Sequence, residues 1–218
     1  MPYTGEVHVG GPADVHELSG LIVSKLAVGP HDNNAYLLRC RTSGAQVLVD
    51  AANEPERLLD LVGPDGLAGV VTTHQHADHW QALAEVVAAT DARTYASAED
   101  APEIPVETDV FLAEGDLLQV GEVGLRVIAL RGHTPGSIAL LYDDPDGAPH
   151  LFTGDSLFPG GPGNTWGDPA AFTSLMDDLE SRVFGPLPDE TWVYPGHGKD
   201  TTLGAERPSV PEWRARGW

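Results

Sequence analysis

The 218-residue chain predicts an α/β fold, a mixed sandwich of strands and helices rather than a purely parallel, doubly wound sheet. Three observations predict it. Short β-rich runs recur from residue 21 to residue 194, helical apolar stripes fall between them, and hairpin spacings occur in both halves. Hydrophobic residues make up 41% of the sequence, enough for an extended core, and no Ser/Gly linker divides it. One domain over residues 1–218 is the expectation.

Leu21–Val28, Ala35–Cys40 and Gln46–Asp50 read as strands separated by Gly, Pro and Asn turns. Asn53 is the expected cap of a helix, with Pro55 in its first turn, Glu56 as capping-box partner and Leu58, Leu59 and Val62 as its buried face. Gly69–Thr73 is a buried strand ending in a polar cluster. Trp80, Leu83, Ala84 and Val87 then follow at helical spacing, with Trp80 read as helix core. Asp109–Leu112, Leu117–Val120, Leu125–Leu130, Ser137–Tyr142, His150–Thr153 and Thr191–Tyr194 are the remaining strands. Asp168 and Pro169 start a helix whose inner face is Phe172, Leu175, Met176 and Leu179. The tail from Gly204 to Trp218 reads as irregular. No internal repeat occurs.

Twelve basic against 33 acidic side chains give a net charge of −21, which repels nucleic acid and anionic membrane and leaves a small molecule as the expected partner. Cys40 is the only cysteine, so neither an intrachain disulfide nor a thiolate zinc cage can form, and it is expected packed in its strand. The first twenty residues hold no apolar leader and no stretch reaches membrane-spanning length, so a cytoplasmic setting is expected.

Three of the nine histidines fall within six residues, His74-Gln75-His76-Ala77-Asp78-His79, between a strand end and a helix start. For independent residues the pattern H-x-H-x-D-H arises by chance in roughly one such chain in a thousand. Imidazoles and a carboxylate crowded in one loop are good ligands for zinc or non-haem iron. Alternate residues His74 and His76 can face one ion, and Asp78 and His79 a second.

With its preceding strand this motif resembles the signature of the metallo-β-lactamase fold superfamily. The family's other pieces follow in order: His133 in Gly132-His133-Thr134-Pro135-Gly136-Ser137, Asp155 in Phe152-Thr153-Gly154-Asp155, and His197 in Pro195-Gly196-His197-Gly198. The resemblance implies a four-layer αβ/βα sandwich with a metal site along one edge of two sheets. It implies two divalent transition-metal ions, zinc by expectation with iron as the alternative. His74, His76 and His133 would hold the first, Asp78, His79 and His197 the second, and Asp155 would bridge them. Asp78 and Asp155 are the expected catalytic carboxylates. Asp50, after the strand Gln46–Val49, is similar to an aspartate of this fold that braces the metal loop. His8, His16, His31 and His150 match no piece of the pattern and are expected at the surface or in turns.

The implied chemistry is metal-assisted hydrolysis of an electrophilic carbonyl, which needs no protein nucleophile. The chain contains no G-x-S-x-G. Within the superfamily it is most similar to glyoxalase II, which hydrolyses thioesters such as S-lactoylglutathione. Glyoxalase II carries a further C-terminal helical region that helps bind glutathione, and this chain ends soon after His197. A thioester of another thiol, a small ester or a lactone suits the same chemistry. The rival from another class is a persulfide dioxygenase-like oxidoreductase holding one iron through His74 or His76, His133 and Asp155. The loop from Leu157 to Gly167, with Phe158, Asn164 and Trp166, is either a wall of the substrate pocket or a plain connector. Lys199 is expected exposed.

Overall fold

The computed structural model describes residues 2–217. Met1 and Trp218, the ends of the first twenty residues and of the tail read as irregular, lie outside the described residues. The first half builds β1 (Asp14–Glu17), β2 (Leu21–Val28), β3 (Asn33–Cys40), β4 (Gln46–Val49), α1 (Pro55–Val62), β5 (Gly69–Val71), α2 (Leu83–Thr90), β6 (Arg93–Ser97) and β7 (Val110–Leu112). Its seven strands form one sheet in sequence order, with β1–β4 antiparallel and β4–β7 parallel.

The second half builds β8 (Leu117–Val120), β9 (Val123–Ala129), β10 (Ile138–Tyr142), β11 (His150–Gly154), the small ribbon β12 (Leu157–Phe158) and β13 (Gly161–Pro162), α3 (Pro169–Asp178), β14 (Trp192–Pro195), β15 (Thr201–Thr202), α4 (Leu203–Glu206) and α5 (Val210–Arg216). Six of these strands make the second sheet, in the order β15-β14-β11-β10-β9-β8. Because β10 is antiparallel to both β9 and β11, and β14 is parallel to β11, strands β9, β11 and β14 all end on one edge.

Side-chain alternation along the strands divides the core into three layers. Leu21, Val23, Tyr36, Leu38, Val47 and Val49 of the first sheet meet Leu118, Leu125, Val127, Leu140, Phe152 and Tyr194 of the second. The opposite face of the first sheet, with Leu37, Leu48 and Val70, packs on Leu58 and Val62 of α1 and Leu83 and Val86 of α2. The outer face of the second sheet, with Ile128, Leu141, Leu151 and Val193, packs on Phe172, Leu175 and Met176 of α3 and on Val210 and Trp213 of α5. The order is helix, sheet, sheet, helix, the four layers anticipated from the sequence.

Several local expectations need correction. Asn53 does not cap α1: Glu54 occupies the cap position with φ 51°, and Asn53 Oδ1 accepts its backbone N–H at 2.8 Å. On α1 the partner of Leu58 and Val62 is Leu61 rather than Leu59, and on α2 the inward residues are Leu83 and Val86 while Ala84 is exposed. Trp80 precedes α2; it is half-buried against the same layer and donates its indole N–H to Gln75 O at 2.8 Å. The tail is not irregular. Thr202 caps α4, and Pro211 takes a first-turn position of α5, where its missing N–H costs nothing. Strands β1 and β6 escaped notice because DVHE and RTYAS carry polar residues on both faces.

His16 and His150 are not surface or turn residues. His150 is 5% exposed on β11, its Nδ1 is 3.0 Å from the Tyr194 hydroxyl, and His16 Nδ1 reaches the same hydroxyl at 2.8 Å. One hydroxyl can donate to one ring and accept from the other, so both imidazoles are satisfied while neutral. Burial, with His16 beside it, pushes His150 down to about 4. The unfolded chain therefore takes up this proton first as pH falls, and the stability held above about pH 6.5 is lost towards pH 4. Urea unfolding across that range should show His150→Asn losing less stability than the parent, by about 3 kcal/mol. Equal pH slopes in the two proteins would contradict the assignment.

Candidate metal centre

Every predicted ligand sits where a strand stops at a single edge of the sandwich. The loop after β5 carries His74, His76, Asp78 and His79; the loops after β9, β11 and β14 carry His133, Asp155 and His197. Backbone bonds stitch the two sheets together there, from Ile138 N to Thr73 O at 3.0 Å and Asn34 N to Gly196 O at 2.7 Å, while Gly196 N to Gly154 O at 2.8 Å ties the neighbouring ends of β14 and β11 within the second sheet.

The seven side chains converge. Ligand-capable atoms of His74, His76 and His133 lie within 4.8 Å of one another, as do those of Asp78, His79 and His197, and those of His74, His79 and Asp155. Asp155 stands between the two trios. Its Oδ2 is 3.6 Å from His133 Nε2, 4.0 Å from His74 Nε2 and 3.4 Å from His197 Nε2, while Oδ1 is 3.4 Å from His79 Nε2. Within the trios, His76 Nδ1 is 3.0 Å from His133 Nε2, and His79 Nε2 is 3.2 Å from His197 Nε2.

The outward nitrogens fix which inward nitrogens carry lone pairs. His79 Nδ1 donates to Asp50 Oδ2 at 2.8 Å, His133 Nδ1 to Asn164 O at 2.8 Å and His197 Nδ1 to His31 O at 2.8 Å. The Thr73 hydroxyl donates to Asp50 Oδ2 at 2.8 Å, so it accepts from His74 Nδ1 at 3.0 Å. In the neutral rings, four Nε2 atoms are left as acceptors facing the centre. Two buried atoms at that centre, His74 Nε2 and Asp155 Oδ1, have no hydrogen-bond partner. Unpaired buried acceptors cost about 1–3 kcal/mol each. A donor set of imidazole nitrogens and carboxylate oxygens aimed at one another fits divalent cations such as zinc or iron.

Electrostatics divides the trios. Burial holds His74 well below the usual imidazole value and His133 down at about 4. Burial also opposes charge on His79 and His197, but Asp50 and Asp155 around the first and Asp155 and Asp78 around the second push both up to about 10. Without cations, protons gather beside the carboxylates, and a cation binding there displaces them.

Bracing residues complete the site. Asp50 has φ 59°, a left-handed conformation that Asp tolerates, and it takes both Thr73 N–H and the His79 ring. Asp100 ties two ligand loops together, accepting Gln75 N at 3.0 Å, the Thr134 hydroxyl and Gly136 N at 2.7 Å. Asn33 Nδ2 donates to Asp78 Oδ2 at 3.0 Å. Asp50 was anticipated from the sequence; Asp100 and Asn33 were not, since nothing in their local spacing marks them. Gly196 has to be glycine, because a Cβ there would collide with Asp155 Oδ1 and lie 2.7 Å from His79 Cε1.

The loop after Asp155 flanks the centre on both sides. Trp166, 63% exposed, sets its ring 5.2 Å from His76 and 5.1 Å from His133, and Phe158 lies 6.3 Å from His197. Trp166, Thr165, His133, Thr134, Ala171 and Ser174 line an open cleft of about 500 Å³. Lys199 pairs with Glu6 at 2.8 Å on the surface, His31 is exposed and contributes only its carbonyl, and His8 takes no part in the centre.

Residues 28–197 match the family described as the Metallo-beta-lactamase superfamily. The chain belongs to that superfamily. Among its superfamily relatives, a hydroxyacylglutathione hydrolase of Fuscovulum blasticum is 38% identical over 169 residues, 76% of this chain and 62% of that enzyme. The chain thus spans less than two thirds of the hydrolase it matches. A solved structure of TTHA1623 in a di-iron-bound form is 35% identical, with TM-score 0.71, over 86% of this chain and 98% of that one. ETHE1 from Myxococcus xanthus is 30% identical, with TM-score 0.77, over 88% of this chain and 84% of its own.

Replacing Asp50 with Asn keeps the backbone conformation but removes the charge that orients His79. Chelator competition should show metal held about 10–100-fold more weakly. Unchanged affinity would mean Asp50 serves only the loop backbone.

Proposed function

We propose that the chain is a binuclear metal-dependent hydrolase acting on a small thioester or ester, similar to glyoxalase II. The observation that carries this reading is the Asp155 carboxylate lying between two trios of inward-facing ligand atoms. His74, His76 and His133 would hold one cation and Asp78, His79 and His197 the other, with Asp155 shared. Zinc is the metal assigned, with iron as the alternative that the di-iron-bound relative supports. Such a pair of cations supplies Lewis acidity for a carbonyl and hydroxide near neutral pH.

The protein's part is orientation. Asp78 Oδ2 is held by Asn33 and His197, and the hydrogen bond to His197 keeps its carboxyl well below the usual range. Its remaining lone pairs would serve the cation and orient the attacking water. Burial opposes charge on Asp155, yet His197 and His79 keep it ionised. Trp166 forms an apolar wall against which the substrate excludes water. The hydrolase named among the relatives supports a thioester, while a lactone fits the same geometry. A small-molecule substrate and a cytoplasmic setting complete the proposal; no described helix is long and apolar enough to cross a membrane.

The single-iron oxidoreductase is the second reading, supported by the likeness to ETHE1. Metal analysis of protein purified without added metal separates the two. The proposal expects two equivalents and turnover of thioesters; one equivalent of iron with persulfide-dependent oxygen uptake would favour the rival. Asp155→Ala and His133→Ala should each abolish thioester hydrolysis with the circular dichroism of the parent retained. Full turnover by either variant would reject the assigned roles.

A further inference from the structure

Lys25 is out of place by composition. It sits mid-strand in the run LIVSKLAV, on the same side of β2 as Leu21 and Val23, and is 0% exposed. All three N–H groups of its ammonium are used, to Asp200 Oδ1 at 2.6 Å, Gly198 O at 2.7 Å and Gly5 O at 2.8 Å. The other oxygen of Asp200 accepts the Tyr3 hydroxyl at 2.6 Å and the Trp192 indole N–H at 2.9 Å. Gly5, at φ 71°, lies so close that a Cβ there would collide with Asp200 Oδ2. Every donor and acceptor of a buried ion pair is satisfied.

A buried pair of this kind contributes little stability relative to apolar residues of the same volume. What it supplies is direction: its bonds hold Gly198 and Asp200, on the C-terminal side of one ligand, opposite the bonds that hold Pro195 and Gly196. Residues 195–200 are fastened on either side of His197, which itself bridges antiparallel to Asn33: Pro195 O accepts the Tyr36 hydroxyl at 2.6 Å and Asn34 Nδ2 at 2.9 Å, and Gly198 O accepts both Asn34 Nδ2 at 2.9 Å and Lys25. The imidazole of His197 then projects from a fixed backbone to donate to His31 O and face Asp78 and Asp155. We propose that Lys25 and Asp200 are positioning residues that aim His197 into the second trio. The claim rests on the proposed two-cation reading for its functional meaning, but the geometry it explains does not depend on metal.

The test replaces the pair with apolar residues of similar size, Lys25→Met with Asp200→Leu, and reads two things. In the metal-free protein, the slowly exchanging Nδ1–H of His197 should give a nitrogen-15-correlated signal that the double variant loses. In a cobalt(II) titration the second equivalent should bind about 10–100-fold more weakly in the variant, with the first equivalent unchanged. If the double variant does not fold, Asp200→Asn, which keeps the shape and removes the charge, should show the same two changes in smaller measure. A retained His197 signal with parental binding of both equivalents would overturn the proposal. Loss of the signal in a protein whose parent binds only one equivalent would uphold the positioning role and reject the two-cation reading instead.

Discussion

Asp155 is the side chain on which the rest of the site depends. It is an anion largely removed from water, yet it accepts no conventional hydrogen bond through Oδ1 and is ringed by imidazoles from both trios. Desolvating a carboxylate is expensive unless positive charge or strong donors replace the water. Protons on His79 and His197 partly meet that need, and cations held among the seven side chains, as proposed, would meet it fully. The same atoms then explain the surroundings: Asp50, Asn164 O, His31 O and the Thr73 hydroxyl each hold an imidazole by its outer nitrogen. The inner nitrogens then face the centre, those of His74 and His133 as free acceptors and those of His79 and His197 once a cation displaces their protons.

The fold delivers this arrangement through strand direction. Strands β5, β9, β11 and β14 stop at the same edge, and β3 starts there, so residues from 33 to 197 meet without long connecting loops. Each strand is locked by the apolar layer between the sheets, which fixes where its last residue points. Glycine at 196 allows the closest approach, and a charged pair behind the β14 loop sets its angle. Rigid elements thus carry the ligands, while the Trp166 loop, on the surface, shapes what reaches them.

Much of the centre was legible because its chemistry is local in sequence. His74, His76, Asp78 and His79 fall in one turn, and His133, Asp155 and His197 stand in short motifs at strand ends. Asp168 also capped its helix as read, accepting Ala170 N at 2.8 Å. The braces were illegible for the opposite reason. Asp100 meets the first ligand loop across 25 residues and Lys25 meets Asp200 across 175, distances over which no periodicity or spacing speaks. His150 looked like a spare surface histidine because its strand position did not reveal that Tyr194 waits on the neighbouring strand of the same sheet. Local capping rules failed at Asn53, where a left-handed Glu54 turns the chain into α1 first.

Anomalous X-ray scattering from crystals grown with metal shows directly whether Asp155 is shared between two cations. Two peaks are expected, one among His74, His76 and His133 and one among Asp78, His79 and His197, each within bonding distance of Asp155. A metal-replete crystal with no peak beside Asp155 would contradict that sharing.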